Sequence, residues 1–329
     1  MSPASSRPLA APSGVTPPSP PGEDGTPRSS TPSPTPSPTP SRTPVATGSA
    51  HVGGRRPRPG AFWRLVRSEM GLIASRRRNQ IGILILAAVP IVIAFAVRQA
   101  APEPGVGPAF LADITTNGMF VALTALTVQM PLFLPLAVAA VSGDALAGEA
   151  GSGTLRYVLT VPVGRTRLLL AKYLAALAGV LFAVLVVAGT GVLVGLLLFG
   201  AGPVPTLSGF ELTYAQGLWR VVLAVGYATA ALAAVLAIGM LISSLTEQPI
   251  AAMIAVVIVT MTMQIIGALP QMEAVHPFLI PTHWMAFADL FREPVFTEPM
   301  LAGLRVFAVY VALGLAAALW RFRTRDVTS

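Results

Sequence analysis

The sequence contains no cysteine, a single lysine (Lys172) and three histidines (His51, His276 and His283). Without cysteine there can be no disulfide framework, iron–sulfur cluster or thiol chemistry. A metal site would have to be built from the histidines and carboxylates, but no HExxH or HxxE pattern flanks them, so no helix face carries a ligand set. No GxxxxGK[ST] loop occurs, and Lys172 follows three leucines and an alanine rather than a glycine-rich turn, so the chain has no phosphate cradle and is not expected to hydrolyse ATP or bind a cofactor. The absence of GxSxG and of paired carboxylates argues likewise against a membrane-bound hydrolase or transferase. Charge is scarce as well: 11% of residues are charged, against about 25% in an ordinary soluble domain.

What is abundant is apolar. Of 329 residues 53% are hydrophobic, with a mean hydropathy of +0.70, which points to the bilayer. The net charge of +8 would suggest nucleic acid in a soluble protein. Here the arginines cluster beside apolar segments, so the charge reads as membrane topology and no nucleic-acid partner is expected.

Residues 1–58 are rich in Pro, Ser, Thr and Gly, including the run TPSPTPSPTPSRTP, and hold no apolar block able to form a core. This tail is expected to be disordered and cytoplasmic. Its Ser-Pro and Thr-Pro pairs fit phosphorylation, an extended binding arm or a plain extension, and no function is assigned to them. Residues 59–329 form the membrane domain. It opens with an interfacial helix over 61–78, in which Phe62, Leu65, Val66, Met70, Ile73 and Ala74 recur at helical spacing while Arg64, Arg67 and Arg76 to Arg78 meet lipid headgroups.

Six apolar stretches follow, at about 80–97, 118–142, 169–199, 218–244, 249–270 and 301–320, each near or above the roughly 17–25 residues that cross a hydrocarbon core of about 30 Å. The fold class is therefore all-α, a polytopic membrane protein with six transmembrane helices. Pro90, Pro131 and Pro135 fall inside these spans, so kinks are expected, with neighbouring helices re-satisfying the freed carbonyls.

With the N-terminus inside, 18 of the 22 Lys and Arg lie on the cytoplasmic side while the acidic residues divide equally. By the positive-inside rule both termini are cytoplasmic in a multi-pass protein of the plasma (inner) membrane. No Asp, Glu, Lys, Arg or His lies deep in a span, which argues against a proton- or sodium-driven carrier. Gln129 and Gln264 are the main polar residues inside; they either contact a substrate in a central path or bond helix to helix. The polar segment 269–299 retains Phe278, Trp284, Phe287 and Leu290 and is expected to fold back at the outer leaflet, as a gate over the exit or as a lid over helix ends. Its Asp289, Arg292 and Glu293 read as a solvated cluster rather than a proton relay.

The informative segment joins the second and third spans, SGDALAGEAGSGTLRYVLTVPVGRTRLLLAKYLAA from Ser142 to Ala176. Glu149, Gly153, Thr154 and Leu155, then Leu159, Pro162, Val163, Arg165, Leu169, Ala171 and Lys172, fill a pattern that resembles the cytoplasmic loop of ABC-2 type permeases. The resemblance extends over about 61–325, including the basic first helix and the turn SSLTEQP (Ser243 to Pro249). It implies an ATP-driven ABC transporter in which this chain is the permease subunit. It further implies a separate ABC ATPase subunit that uses the ATP, a second permease subunit, identical or related, and a membrane lipid environment. Glu149, Gly153, Thr154, Leu155, Pro162 and Arg165 would then form the ATPase-coupling loop. Apolar walls suit a lipid-like, amphipathic or drug-like substrate, and the resemblance implies export rather than import. The alternative is a non-transport membrane subunit, an assembly factor or sensor, that docks an ATPase through the same loop.

Overall fold

The structure, a computed structural model, describes residues 60–100, 110–115, 117–151, 164–206 and 208–324. The 1–58 tail lies outside them. Helix α1 (Ala61–Ser75) is amphipathic and is followed after one extended residue, Arg76, by α2 (Arg77–Gln99). The break is capped from the far side: Asn79 Nδ2 donates to the Ile73 carbonyl at 2.8 Å and Gln80 Nε2 to that of Ala74 at 3.0 Å. These are last-turn carbonyls of α1, which have no helical partner of their own. The interfacial helix thus ends three residues earlier than the 61–78 expected, because Arg77 and Arg78 already belong to the first turn of α2.

The second apolar stretch is two helices, α3 (Phe120–Gln129) and α4 (Phe133–Gly151), bent by 59° across Met130–Leu132. Pro131 and Pro135 both lack the amide that would continue the ladder, so the chain turns there. Helix α5 (Arg165–Phe199) runs unbroken to Gly200, whose φ of 80° ends it in a conformation that only glycine adopts freely. A small antiparallel hairpin pairs Val204 with Leu212 and leads into α6 (Tyr214–Leu245) through a Thr213/Gln216 capping box. Pro249 sits in the first turn of α7 (Pro249–Gly267), and two 3₁₀ segments, Pro270–Phe278 and Pro281–Phe291, precede α8 (Glu298–Thr324).

Five helices are long and apolar enough to cross a membrane, six if the bent α3–α4 pair is one span. Contacts fix how they alternate. Ser243 near the end of α6 accepts from the Leu146 and Ala147 amides and donates to the Gly143 carbonyl at 3.0 Å, joining the ends of α4 and α6. At the other face Asn117, just before α3, donates to the Gly202 and Pro203 carbonyls beyond the end of α5.

Helix α6 is the axis: 67% of its most apolar stretch is buried, against 17% for α7 and for α8. Small residues set the closest approaches. Gly118 and Gly195 face each other where α3 begins and α5 ends, Gly191 lies against Ala122, and Gly239 of α6 against Ser142 of α4. The outward faces carry exposed Ile, Leu, Val and Phe, such as Ile254 and Ile258 of α7 and Leu313 of α8, as a surface in contact with lipid tails would.

Candidate functional site

Charge concentrates where α1 turns into α2. Asp144, on the last two turns of α4, receives hydrogen bonds from Arg76 and Arg78, the latter at 2.5 Å, while Arg78 also donates to the Ala140 carbonyl at 2.8 Å. One carboxylate shared by two guanidiniums gives charge-assisted bonds stronger than neutral ones. Beside it Lys172, only 4% exposed in the second turn of α5, pairs with Glu69 of α1 at 3.0 Å. A cavity of about 40 Å³ lined by Glu69, Arg76, Asn79, Asp144 and Lys172 lies between the two clusters. The elbow of α1 and α2 is therefore ion-paired both to the helix that leads into residues 152–163 and to the helix that leads out of them.

Of the residues expected to form the coupling loop, Gly153, Thr154, Leu155 and Pro162 lie outside the described residues. Glu149 falls in the last turn of α4, and Arg165 opens α5 behind Gly164. Asp144, Glu69 and the arginines' partnership were not legible as a site in the sequence. The usable signal was Asp144 itself, a carboxylate two residues past a long apolar run, which needs a cation nearby.

Gln129 and Gln264 are engaged in helix-to-helix bonding. Gln129, fully buried in α3, donates to the Leu86 carbonyl of α2 at 3.2 Å, leaving its own Oε1 without a partner. Gln264 of α7 donates to the Pro131 carbonyl at 2.6 Å.

At the opposite face the segment after α7 packs back onto the bundle. Trp284, Phe287, Leu290 and Phe291 are buried, and Phe110, Phe120 and Phe291 form an aromatic cluster with centroids 5.8 to 6.4 Å apart. Tyr227 of α6 donates to the His283 carbonyl at 2.8 Å. Asp289 and Arg292 pair locally at 2.9 Å, while Glu293, itself half-exposed, pairs at 2.6 Å with Arg220 of α6, whose guanidinium also holds the Leu290 and Arg292 carbonyls. A desolvated arginine needs such partners, and this one ties the layer to α6. Nearby, burial raises the Asp113 carboxyl above its ordinary value of 3.8. Among the described residues no His, Asp and Glu gather as a metal site.

No curated protein matches the chain significantly. Residues 75–264, from the elbow through nearly all of α7, match the family described as ABC-2 family transporter protein. That is more than half of the chain, and it contains the elbow arginines, Asp144, Lys172, Gln129 and Gln264: the protein is a multi-helix membrane protein that belongs to the ABC-2 type permeases of ABC transporters.

Proposed function

We propose that the chain is the permease subunit of an ATP-driven exporter whose ATPase is a separate subunit docking on residues 149–165. The single observation that carries this reading is the elbow. Asp144 and Lys172, on the two helices flanking that segment, are both ion-paired to the α1–α2 junction. A load applied to the segment would move α1, α2, α4 and α5 as one body, which is what a rigid-body switch between inward- and outward-facing states needs.

The α1 face is taken as cytoplasmic, in keeping with its basic residues, and the plasma membrane as the location. All six helical spans are used, counting α3 and α4 as one. Two permease chains, identical or related, would enclose the path. Apolar interiors without deep ionisable groups favour a lipid-like, amphipathic or drug-like cargo. ATP would be used by the partner, and this chain would need neither a nucleotide site nor a cofactor of its own.

The test is co-purification with the ATPase encoded beside it, followed by ATPase assay of the complex with wild-type permease and with the Glu149→Ala, Arg165→Ala double variant. A stable complex whose permease-dependent ATPase activity falls in the variant supports coupling through the loop. Unchanged activity removes those residues from the coupling role, and failure of any ATPase to bind moves the reading to a non-transport membrane subunit. Because the chain has no cysteine, single cysteines at Ser75 and Ser208 report sidedness without background: labelling of Ser208→Cys but not Ser75→Cys from outside is expected.

A further inference from the structure

A lateral groove of about 590 Å³ runs between α2 and α5, with α4 as its floor and the end of α1 across one end. Its volume is that of an ordinary ligand pocket, about 300–1,000 Å³, and its walls are apolar. Of its lining side chains only Arg78, Asn79 and Gln80 are hydrophilic, and all three sit together at the elbow. The space exists because the walls are small: Gly82, Ala178 and Ala183 face it where larger residues would close it, and a side chain added at Gly82 would meet nothing within 4 Å. Leu84 and Phe182, which also line it, are exposed, so the groove opens sideways, toward lipid.

Its length identifies the occupant. From Arg78 to Leu86 along α2 is about 12 Å at ~1.5 Å per residue, close to the half-thickness of about 15 Å of a hydrocarbon core. A guest of that depth, polar at one end and apolar for the rest, has the dimensions of a lipid of one leaflet. The charge at the polar end selects among lipids. Asn79 and Gln80 are occupied in capping α1 and Arg78 in holding Asp144. Arg77 adjoins Arg78, and Arg67 shares a face of α1 with Met70 and Ala74, two groove residues. Both arginines are exposed and neither is ion-paired among the described residues. Basic pockets of this kind beside transmembrane helices recruit anionic headgroups.

We propose that this groove is a binding site for an anionic phospholipid of the leaflet that contains α1, with one acyl chain lying between α2 and α5 and the phosphate held by Arg67 and Arg77. The site stands apart from the transport reading: it concerns a lipid resident on the outer surface of the bundle and requires neither an ATPase nor a cargo.

The experiment is native mass spectrometry of the full-length protein in detergent, titrated with phosphatidylglycerol or with phosphatidylcholine of the same acyl chains. One phosphatidylglycerol is expected to bind at a roughly thirtyfold lower concentration, as about 1 kcal/mol from each of two arginines implies. Arg67→Gln with Arg77→Gln should abolish that preference while leaving weak binding of both lipids. Gly82→Leu, and separately Ala178→Leu, should fill the groove and remove binding of both, and a photoactivatable acyl chain should label α2 and α5 in the wild type. Equal affinity for the two lipids, binding undiminished in both plugged variants, or labelling elsewhere overturns the proposal. So does a lipid-free dimer that either plugged variant dissociates, because the groove would then be a contact between two copies of this chain.

Discussion

The side-chain amide of Gln129 donates at 3.2 Å to the carbonyl of Leu86, and Leu86 stands four residues before Pro90. Proline has no amide, so this is the carbonyl that Pro90 leaves without its helical bond. The glutamine supplies from α3 the donor that α2 has lost, inside a region where no water can do so. Gln129→Met is therefore expected to lower stability by about 1 kcal/mol, within the range measured for hydrogen bonds between membrane helices. The loss should nearly vanish in a Pro90→Ala background, where the helix re-forms its own bond. A double-mutant cycle of thermal unfolding in detergent checks this, and equal losses in the two backgrounds would remove the repair role. The partnerless Oε1 of Gln129 cancels in such a cycle, since it is lost in both arms.

The same relationship recurs one span on. Gln264 of α7 donates to Pro131 at 2.6 Å, and Pro131 stands four residues before Pro135. Here the repaired carbonyl lies at the 59° bend between α3 and α4. Gln264→Leu is expected to cost about 1 kcal/mol and to loosen the bend, read as faster hydrogen exchange at residues 130–137. Pro135→Ala should abolish that sensitivity. A drop in cargo transport at unchanged stability and exchange would return both glutamines to the substrate path.

Much of this architecture could be read from the sequence, because the bilayer dictates it. A span must be long enough to cross and free of unpaired charge, so the apolar runs marked most helix ends to within about four residues, although α4 continues to Gly151, nine residues past the expected 142. Pro131 and Pro135 announced the bend between α3 and α4, whereas α2 runs continuous through Pro90, and the prolines also announced the need for donors from neighbouring helices. What the sequence could not supply was pairing at a distance. Nothing local says that Gln129 belongs to Leu86, that Asp144 belongs to Arg76 and Arg78, or that Glu293 reaches Arg220. Each joins residues 43 or more apart in the chain, and only the folded bundle brings them together. The division of the second span into two helices had the same origin: two prolines permit a bend, and the packing of α4 against α6 and α7 sets its size.

At the elbow, Glu69→Gln takes a carboxylate away from a lysine that is 4% exposed. Removing one partner of a buried ion pair costs more than the pair contributes, because the remaining charge stays desolvated. A loss of about 2 kcal/mol is expected, several degrees in Tm. Exchanging the charges with Glu69→Lys and Lys172→Glu should recover part of it, whereas either reversal alone should be worse than Glu69→Gln. If the swap recovers nothing, the pair does not hold α1 to α5.

Glycines provide a prediction with opposite signs. A Cβ at Gly195 would overlap the Gly118 backbone carbonyl, and backbone cannot rotate aside as a side chain can. Gly195→Ala should therefore separate α3 from α5 and cost about 2–3 kcal/mol as an overpacking change. Gly226 of α6 has nothing within 4 Å of where its Cβ would be. Gly226→Ala should be neutral to stabilising by about 0.5–1 kcal/mol through reduced freedom of the unfolded chain. Parallel melts of the two variants decide it, and similar shifts in one direction would contradict the close crossing.

Asp113, in the 3₁₀ turn between α2 and α3, gives a prediction in pH. Burial raises its carboxyl above the ordinary value of 3.8, so the folded protein holds the proton more tightly than the unfolded chain does. The sign follows from linkage. At pH below the unfolded value the group is protonated in both states and has no charge to bury. As pH rises through the folded value, that advantage is lost and a carboxylate must be kept partly desolvated. Asp113→Asn should therefore raise the melting temperature at pH 7 and lose its advantage as pH falls toward 4. A variant less stable than wild type at pH 7 would mean that the carboxylate's hydrogen bonds outweigh its burial.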